Sequence, residues 1–262
     1  VGATMTLLMA ACCAMGTTVL RGAACEPEVC DLAGFLSACG AQIAGAGTPV
    51  VVVQGRRALG GILYTPLPDR IAAATYGAAV AAAGGQITVR ECPPRYYEAF
   101  LQFLQQCGVQ VTRRENAVEL VRDPSVPLRG SQQLYANAWP AFATDTAPLA
   151  AAVLLEAQGE SQIYDHLFAN RFACAAGFRA MGAECQAAGH RLTIRGGAHL
   201  QGACVTAPDL RGGAALLVAA LAADGTTELR DPGHIRRGYA DLPGDLALLG
   251  ARCACCRPTA VR

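Results

Sequence analysis

Apolar positions along the chain cluster into four short helical segments, which recur at intervals of about 70 residues. Each segment is mainly Ala, Leu, Ile or Val, is followed by a glycine 4 to 11 residues after its last residue, and leads into a short strand pattern. A glycine after such a helix suits the left-handed C′ position. The segments are residues 7–11, 71–74, 149–155 and 214–221, and the glycines are Gly16, Gly85, Gly159 and Gly225.

A second marker follows the same period and closes a more amphipathic helix before another strand. It consists of an apolar or Cys residue, a Gly and a small apolar residue. Two markers in one register indicate an internal repeat of helix, strand, helix and two strands, with strands predicted at 48–54 and 190–195. The marker occurs at Cys39-Gly40-Ala41, Cys107-Gly108-Val109, Met181-Gly182-Ala183 and Leu249-Gly250-Ala251.

The repeat predicts an α/β fold in which each unit mixes helices and strands. A unit this long exceeds most solenoid repeats and can form a compact lobe. Segments 150–157 and 214–223 are apolar on every side, which predicts helices buried all round. Because four copies start in mid-chain, we expect earlier copies to be absent and the chain to be truncated at its N-terminus.

Composition narrows the class of protein. Apolar residues make up 53% and charged residues 16%, which is typical of a globular chain. The net charge of +1 comes with no basic run, so we expect no nucleic-acid partner. The 21 basic residues are all Arg. The apolar stretch 5–12 lacks a basic leading segment and is too short to span a bilayer, so no membrane partner is expected.

Thirteen scattered cysteines in a chain of this size indicate reduced thiols, hence a cytoplasmic protein without structural disulfides. Cys253, Cys255 and Cys256 include one CxxC spacing. A four-ligand zinc site needs a second pair, so we predict no metal.

Seven short motifs, in order along nearly the whole chain, resemble the UDP-N-acetylglucosamine 1-carboxyvinyltransferase family of enolpyruvyl transferases. Each motif alone is weak, but the order and the repeat register strengthen the match. The motifs are Val1-Gly2-Ala3-Thr4, Glu26-Pro27-Glu28, Pro68-Asp69-Arg70-Ile71, Phe142-Ala143-Thr144-Asp145, Phe168-Ala169-Asn170-Arg171-Phe172, Asp209-Leu210-Arg211 and His234-Ile235-Arg236-Arg237-Gly238-Tyr239.

The resemblance implies a two-lobed enolpyruvyl transferase fold. Each lobe is an inside-out α/β barrel of three helix-strand-helix-strand-strand units, and the active site lies in the cleft between lobes. Residues 1–67 would end the first lobe, and residues 68–262 would form the second. The implied reaction moves the enolpyruvyl group of phosphoenolpyruvate to the 3-hydroxyl of UDP-N-acetylglucosamine, the first committed step of peptidoglycan synthesis, without a cofactor. The alternatives are shikimate enolpyruvyl transfer and a divergent, non-catalytic relative that binds a UDP-sugar.

The resemblance makes Asp145 the candidate general base for the sugar hydroxyl. Its alternative role is the N-cap of the apolar helix that follows. Arg171, Arg211 and Arg237 are the candidate anion holders, because forked guanidinium groups suit phosphate and carboxylate. The alternative for each Arg is a surface ion pair.

The remaining candidates are contacts of the UDP-sugar. The backbone of Val1 and Gly2, at a helix start, would bind the nucleotide, although Gly2 alone would also ease a turn. Leu167 would contact the sugar beside Asp145. His234 is interpreted as structural.

The chain also departs from the family pattern at several places. The family's Lys-Asn pair and reactive Cys loop would precede Val1, so the chain is not expected to complete catalysis alone. Asp69 and Arg70 match a family motif, with the alternative that they only lock the hinge between the lobes. Glu26 and Glu28 are left out of the site as helix-start residues. The departures are Met5, Thr6, Thr146, Ala147, Pro148 and Ala169.

Overall fold

The computed structural model describes residues 1–130 and 133–255 and shows an α/β chain. It divides into two compact units. The first unit comprises Val1–Asp69 with Ala138–Ala141, and the second comprises Arg70–Asn137 and the chain from Phe142 onward.

The first unit packs two helices on one side of a small antiparallel sheet. Alternate residues of its central strand, Val51 and Val53, point into the core. Leu8 and Leu36 cover them from the helices. The elements are α1 (Gly2–Cys13), β1 (Thr17–Arg21), α2 (Pro27–Ala38), β2 (Gln42–Ala44) and β3 (Val50–Gln54), with strand order β1-β3-β2.

The second unit contains three sheets around a set of apolar helices. The strand orders are β4-β6-β5, β10-β11-β9-β7-β8 and β12-β13. Its helices are α3 (Arg70–Ala83), α4 (Glu98–Cys107), α5 (Ala147–Leu154), α6 (Ala175–Ala180), α7 (Leu210–Ala222) and α8 (Leu242–Leu248). Its strands are β4 (Gly85–Arg90), β5 (Gln110–Arg114), β6 (Ala117–Arg122), β7 (Gln133–Asn137), β8 (Phe142–Ala143), β9 (Glu160–Asp165), β10 (Glu184–Ala188), β11 (Arg191–Arg195), β12 (Cys204–Thr206) and β13 (Glu228–Arg230). Short 3-10 turns occupy Pro94–Tyr96, Thr144–Thr146 and Ile235–Arg237.

Helices α3, α5 and α7 pack against one another at the centre of the second unit, and every residue of α5 is buried. Their starts lie at the same end. The hydroxyl of Thr75, in α3, hydrogen-bonds the hydroxyl of Tyr239 at 2.8 Å, and Gly238 lies against Leu210, the first residue of α7. Asp145, just before α5, contacts Arg211 of α7. The N-terminal ends of these buried helices therefore converge.

The second set of glycine markers ends helices as predicted. Gly40 and Gly182 have φ of 104° and 92°, beyond the reach of most other residues. The residue after each donates back into the last turn, Ala41 N to Leu36 O at 2.9 Å and Ala183 N to Phe178 O at 3.0 Å. This is the Schellman closure, which satisfies a carbonyl that the helix leaves without a partner.

The C′ assignment of the first glycine set is wrong. Helix α1 ends at Cys13 and α7 at Ala222, so Gly16 and Gly225 come three residues later. The residues that follow these helices, Ala14 and Ala223, are already extended. The two glycines, both with φ of 87°, turn the chain into the next strand. The positive φ that was predicted for these two glycines is present, but it lies in the loop before the strand and does not cap the helix.

Neither described stretch contains a helix with the length and apolarity that crossing a lipid bilayer would require. The twelve cysteines that fall within the described residues are all free, and Cys256 lies outside them.

Candidate active site

Asp145 lies in the 3-10 turn Thr144–Thr146, between β8 and α5, with its side chain 38% exposed. Its Oδ1 is 3.3 Å from Arg171 Nη2, and its Oδ2 accepts a hydrogen bond of 3.1 Å from Arg211 Nη2. The alternative role as an N-cap does not hold. The cap position of α5 is Thr146, and the helix has no side-chain cap bond. The carboxylate is held by two guanidinium groups instead.

Arg171 is fixed on three sides and only 12% exposed. Its Nε donates to Thr144 Oγ1 at 3.0 Å and lies 3.6 Å from Asp165 Oδ2. Its Cζ lies 4.4 Å from the centre of the Phe168 ring, within cation–π distance. The guanidinium is thereby oriented with one Nη group directed at Asp145.

Asp165 is a site residue that the sequence interpretation missed. It ends β9 and is fully buried. Its carboxylate accepts from the hydroxyl of Thr144, from Leu167 N at 2.9 Å and from Phe168 N at 2.7 Å. The alternation of β9 carried the signal, because Asp165 shares the inward face with Ser161 and Ile163. A carboxylate on a core-facing position requires hydrogen-bond and charge partners.

Arg211 lies at the start of α7, and Arg237 lies in the 3-10 turn Ile235–Arg237 beside it. Arg211 is the second residue of that helix and 19% exposed. Arg237 is exposed at the end of its 3-10 turn. The turn rests on the first residues of α7, because Ile235 packs against Gly213 and Gly238 against Leu210. The structure thus brings Asp145, Arg171 and Arg211 into direct contact and places Arg237 at the same helix end.

The candidate contacts of a UDP-sugar fall in both units. Leu167 is 46% exposed in the turn after β9, where its backbone N–H is bound by Asp165. In the first unit Val1 precedes α1, without a side-chain cap bond, and Gly2 is the first residue of that helix. A Cβ added to Gly2 would meet nothing within 4 Å. The exposed backbone at this helix start suits an anionic group, and its role as a nucleotide site remains a prediction.

The site combines two Arg side chains, Arg171 and Arg211, with two carboxylates, Asp145 and Asp165. The starts of α5 and α7 add the positive ends of two helix dipoles, and Arg237 lies exposed on the turn beside the start of α7. Guanidinium forks at such a point suit phosphate and carboxylate groups. Among the residues that the structure describes, no cluster of three Cys, His, Asp or Glu side chains is arranged to hold a metal ion.

Comparison with known proteins gives a consistent set of similarities. A family model described as EPSP synthase (3-phosphoshikimate 1-carboxyvinyltransferase) matches residues 1–246. A UDP-N-acetylglucosamine 1-carboxyvinyltransferase of Desulfovibrio desulfuricans is 41% identical over 96% of this chain, and one of Symbiobacterium thermophilum is 41% identical over 96%.

Solved structures agree with these sequence similarities. The enolpyruvyl transferase NikO from Streptomyces tendae superposes with a TM-score of 0.84 at 30% identity, over 95% of this chain and 59% of that one. EPSP synthase from Acinetobacter baumannii, at 18% identity and a TM-score of 0.68 over 95% of this chain and 60% of that one, shares the fold. The chain spans 60% of the Desulfovibrio relative and 56% of the Symbiobacterium relative.

Proposed function

The chain belongs to the EPSP synthase family of carboxyvinyltransferases, and we propose that it forms part of an enzyme that moves the enolpyruvyl group of phosphoenolpyruvate to the 3-hydroxyl of UDP-N-acetylglucosamine. In this role the protein catalyses the first committed step of peptidoglycan synthesis in the cytoplasm. The two relatives at 41% identity carry the UDP-N-acetylglucosamine name, which supports this acceptor over a shikimate phosphate.

The observation that carries the proposal is the position of Asp145 between Arg171 and Arg211 at the converging helix starts. A base and anion-binding groups must lie side by side for this reaction, because the attacked carbon of phosphoenolpyruvate carries both its carboxylate and its phosphate ester. The distances of 3.3 and 3.1 Å place the groups within one substrate length of each other.

Asp145 acts as the general base in this scheme. It accepts the proton of the sugar 3-hydroxyl while the sugar oxygen bonds to the central carbon of phosphoenolpyruvate. The methylene carbon of phosphoenolpyruvate takes up a proton as this bond forms and loses it as the bond from the central carbon to the phosphate oxygen breaks. The double bond is thereby restored, and inorganic phosphate leaves with the proton that came from the sugar hydroxyl. A carboxylate with 38% of its side chain exposed can be reached by a substrate hydroxyl.

Arg171, Arg211 and Arg237 hold the carboxylate and the phosphate, and they stabilise the charge that develops on the departing phosphate. Arg171 and Arg211 exchange their contact with Asp145 for contacts with the anionic substrate. Leu167, Val1 and Gly2 contact the UDP-sugar. The fold assignment that accompanies this proposal is the inside-out α/β barrel lobe, with residues 68–262 as one lobe and 1–67 as the end of another.

The test identifies which acceptor receives the enolpyruvyl group. Because the chain spans 60% of the Desulfovibrio relative, turnover is measured in a chimera in which this chain replaces the matched segment of that relative. Phosphoenolpyruvate is supplied with either UDP-N-acetylglucosamine or shikimate 3-phosphate, and the acceptor is analysed by mass spectrometry. We expect UDP-N-acetylglucosamine to gain one enolpyruvyl group with equimolar release of phosphate.

Modification of shikimate 3-phosphate instead would assign the chain to the shikimate enolpyruvyl transferases. Absence of product from both acceptors, in a chimera that binds UDP-N-acetylglucosamine by calorimetry, would favour the non-catalytic alternative. The unmodified Desulfovibrio enzyme, assayed in parallel, shows that the assay detects turnover.

A further inference from the structure

We propose that Asp165 is the positioning residue of the site, which aligns Arg171 and the turn that carries Asp145 through one buried carboxylate. The alignment of Arg171 and of this turn can be measured in the chain alone. The effect of this alignment on turnover rests on the proposed function. Asp165 is kept apart from solvent by full burial, so it acts through other side chains and does not touch a substrate.

Three hydrogen-bond donors and one ion-pair partner converge on the Asp165 carboxylate. Oδ1 accepts from the backbone N–H groups of Leu167 and Phe168 at 2.9 and 2.7 Å. Oδ2 accepts from the hydroxyl of Thr144 and lies 3.6 Å from Arg171 Nε. An ionised carboxylate accepts at both oxygens, whereas an amide has one accepting oxygen and would direct an NH₂ at other donors. The environment therefore selects Asp over Asn at this position.

The contacts of Asp165 link it to residues that adjoin or form the site. Thr144 precedes Asp145, and its Oγ1 passes the interaction on by accepting from Arg171 Nε at 3.0 Å. Phe168 carries the ring beneath the Arg171 guanidinium. The Asp165 carboxylate thus fixes the base-bearing turn, the Arg and the surface under the Arg together.

Arg171 forms ion pairs with two carboxylates, Asp165 and Asp145. Its Nε donates to Thr144 Oγ1 and lies 3.6 Å from the buried Asp165, while its Nη2 lies 3.3 Å from the half-exposed Asp145. When an anionic substrate replaces Asp145 as the partner of Nη2, the contact with Asp165 still holds the guanidinium in place. Arg171 then meets the substrate without having to be reoriented, which lowers the entropic cost of binding.

The first test reads the alignment directly in the 262-residue chain, without substrate. The Nε–H signal of Arg171 is followed by ¹⁵N NMR, and Arg171→Lys identifies it by its loss. We expect solvent exchange of this N–H to accelerate by about 10- to 100-fold in Asp165→Asn, because Arg171 Nε loses its ion pair with the carboxylate and its acceptor, Thr144 Oγ1, loses the carboxylate that orients the hydroxyl. Asp123→Asn serves as the matched control, because Asp123 accepts from Ser125 N and Oγ in a turn after β6.

A second pair of variants covers the case in which Asp165→Asn fails to fold. Thr144→Val removes the hydroxyl between Asp165 and Arg171 but leaves the carboxylate and its backbone donors in place. Thr144→Ser retains the hydroxyl. We expect faster exchange of Arg171 Nε–H in Thr144→Val and near-wild-type exchange in Thr144→Ser. An unchanged exchange rate in every folded Asp165→Asn or Thr144→Val chain would overturn the proposal.

Kinetics of the chimera supply the link to turnover. Asp165→Asn should raise the KM for phosphoenolpyruvate by about 10- to 100-fold while the KM for UDP-N-acetylglucosamine changes much less, because a displaced Arg171 affects the anion site first. Asp165→Glu should recover part of the loss. Equal effects on both substrates would indicate a purely structural carboxylate. An inactive wild-type chimera would count against the proposed function, and the NMR exchange rates would still decide the role of Asp165.

Discussion

Replacement of Asp145 by Asn separates the proposed catalytic role of this carboxylate from its contribution to stability. In the folded chain the carboxylate contacts two guanidinium groups, at 3.3 and 3.1 Å, while its side chain is 38% exposed. Ion pairs this accessible to solvent contribute about 0–1 kcal/mol each, so the substitution should cost at most about 2 kcal/mol of unfolding free energy. Loss of a general base lowers turnover by about two to four orders of magnitude, or about 3–5 kcal/mol of barrier.

The same change should leave substrate binding largely intact. The amide retains one oxygen that accepts from a hydroxyl or a guanidinium, so UDP-N-acetylglucosamine still binds. Phosphoenolpyruvate should bind as tightly as before or more tightly, because Arg171 and Arg211 lose a competing carboxylate. Steady-state kinetics of the chimera with both substrates varied, calorimetry and urea unfolding measure the three quantities. Wild-type turnover in Asp145→Asn would refute the assignment of Asp145 as the base.

Three further predictions concern single residues. Arg237→Lys should weaken phosphoenolpyruvate binding more than UDP-sugar binding, since a Lys ammonium lacks the forked contact, and separate titrations of the two ligands decide this. Burial raises the pKa of the Cys107 thiol to about 12, so this thiol should react with a disulfide reagent far more slowly than the exposed Cys204 until the chain is unfolded, as peptide mass mapping would reveal. Burial also raises the pKa of Glu156, so ionisation above its unfolded pKa favours the unfolded chain. Glu156→Gln should therefore gain thermal stability over wild type as the pH rises from about 4 to 7, and equal melting temperatures across this range would contradict the reasoning.

Sequence patterns located the helices that surround the site. Apolar runs marked the central helices, and the second set of glycine markers marked the ends of the amphipathic ones, because both features depend on local conformational preferences. Gly16 and Gly225 were predicted to end their helices, but each lies three residues beyond the last helical residue. A glycine in a short connection predicts a positive φ but not which residue of the turn adopts it.

The candidate site was predictable only in part for a similar reason. Motifs pointed to Asp145, Arg171 and Arg211, which the fold brings together although they are separated by tens of residues in sequence. The choice between an N-cap and a site carboxylate for Asp145 required the geometry of the turn, because both roles fit an Asp before an apolar helix. Asp165 was overlooked because a single acidic residue in a strand is uninformative until its inward orientation is noticed.

The most direct test of the account is a crystal structure of the Asp145→Asn chimera with both substrates bound. The account predicts that the 3-hydroxyl of UDP-N-acetylglucosamine lies within hydrogen-bond distance of residue 145. It also predicts that the phosphate and carboxylate of phosphoenolpyruvate are held by Arg171, Arg211 and Arg237. Phosphoenolpyruvate bound away from these three side chains, or a sugar hydroxyl directed away from residue 145, would contradict it.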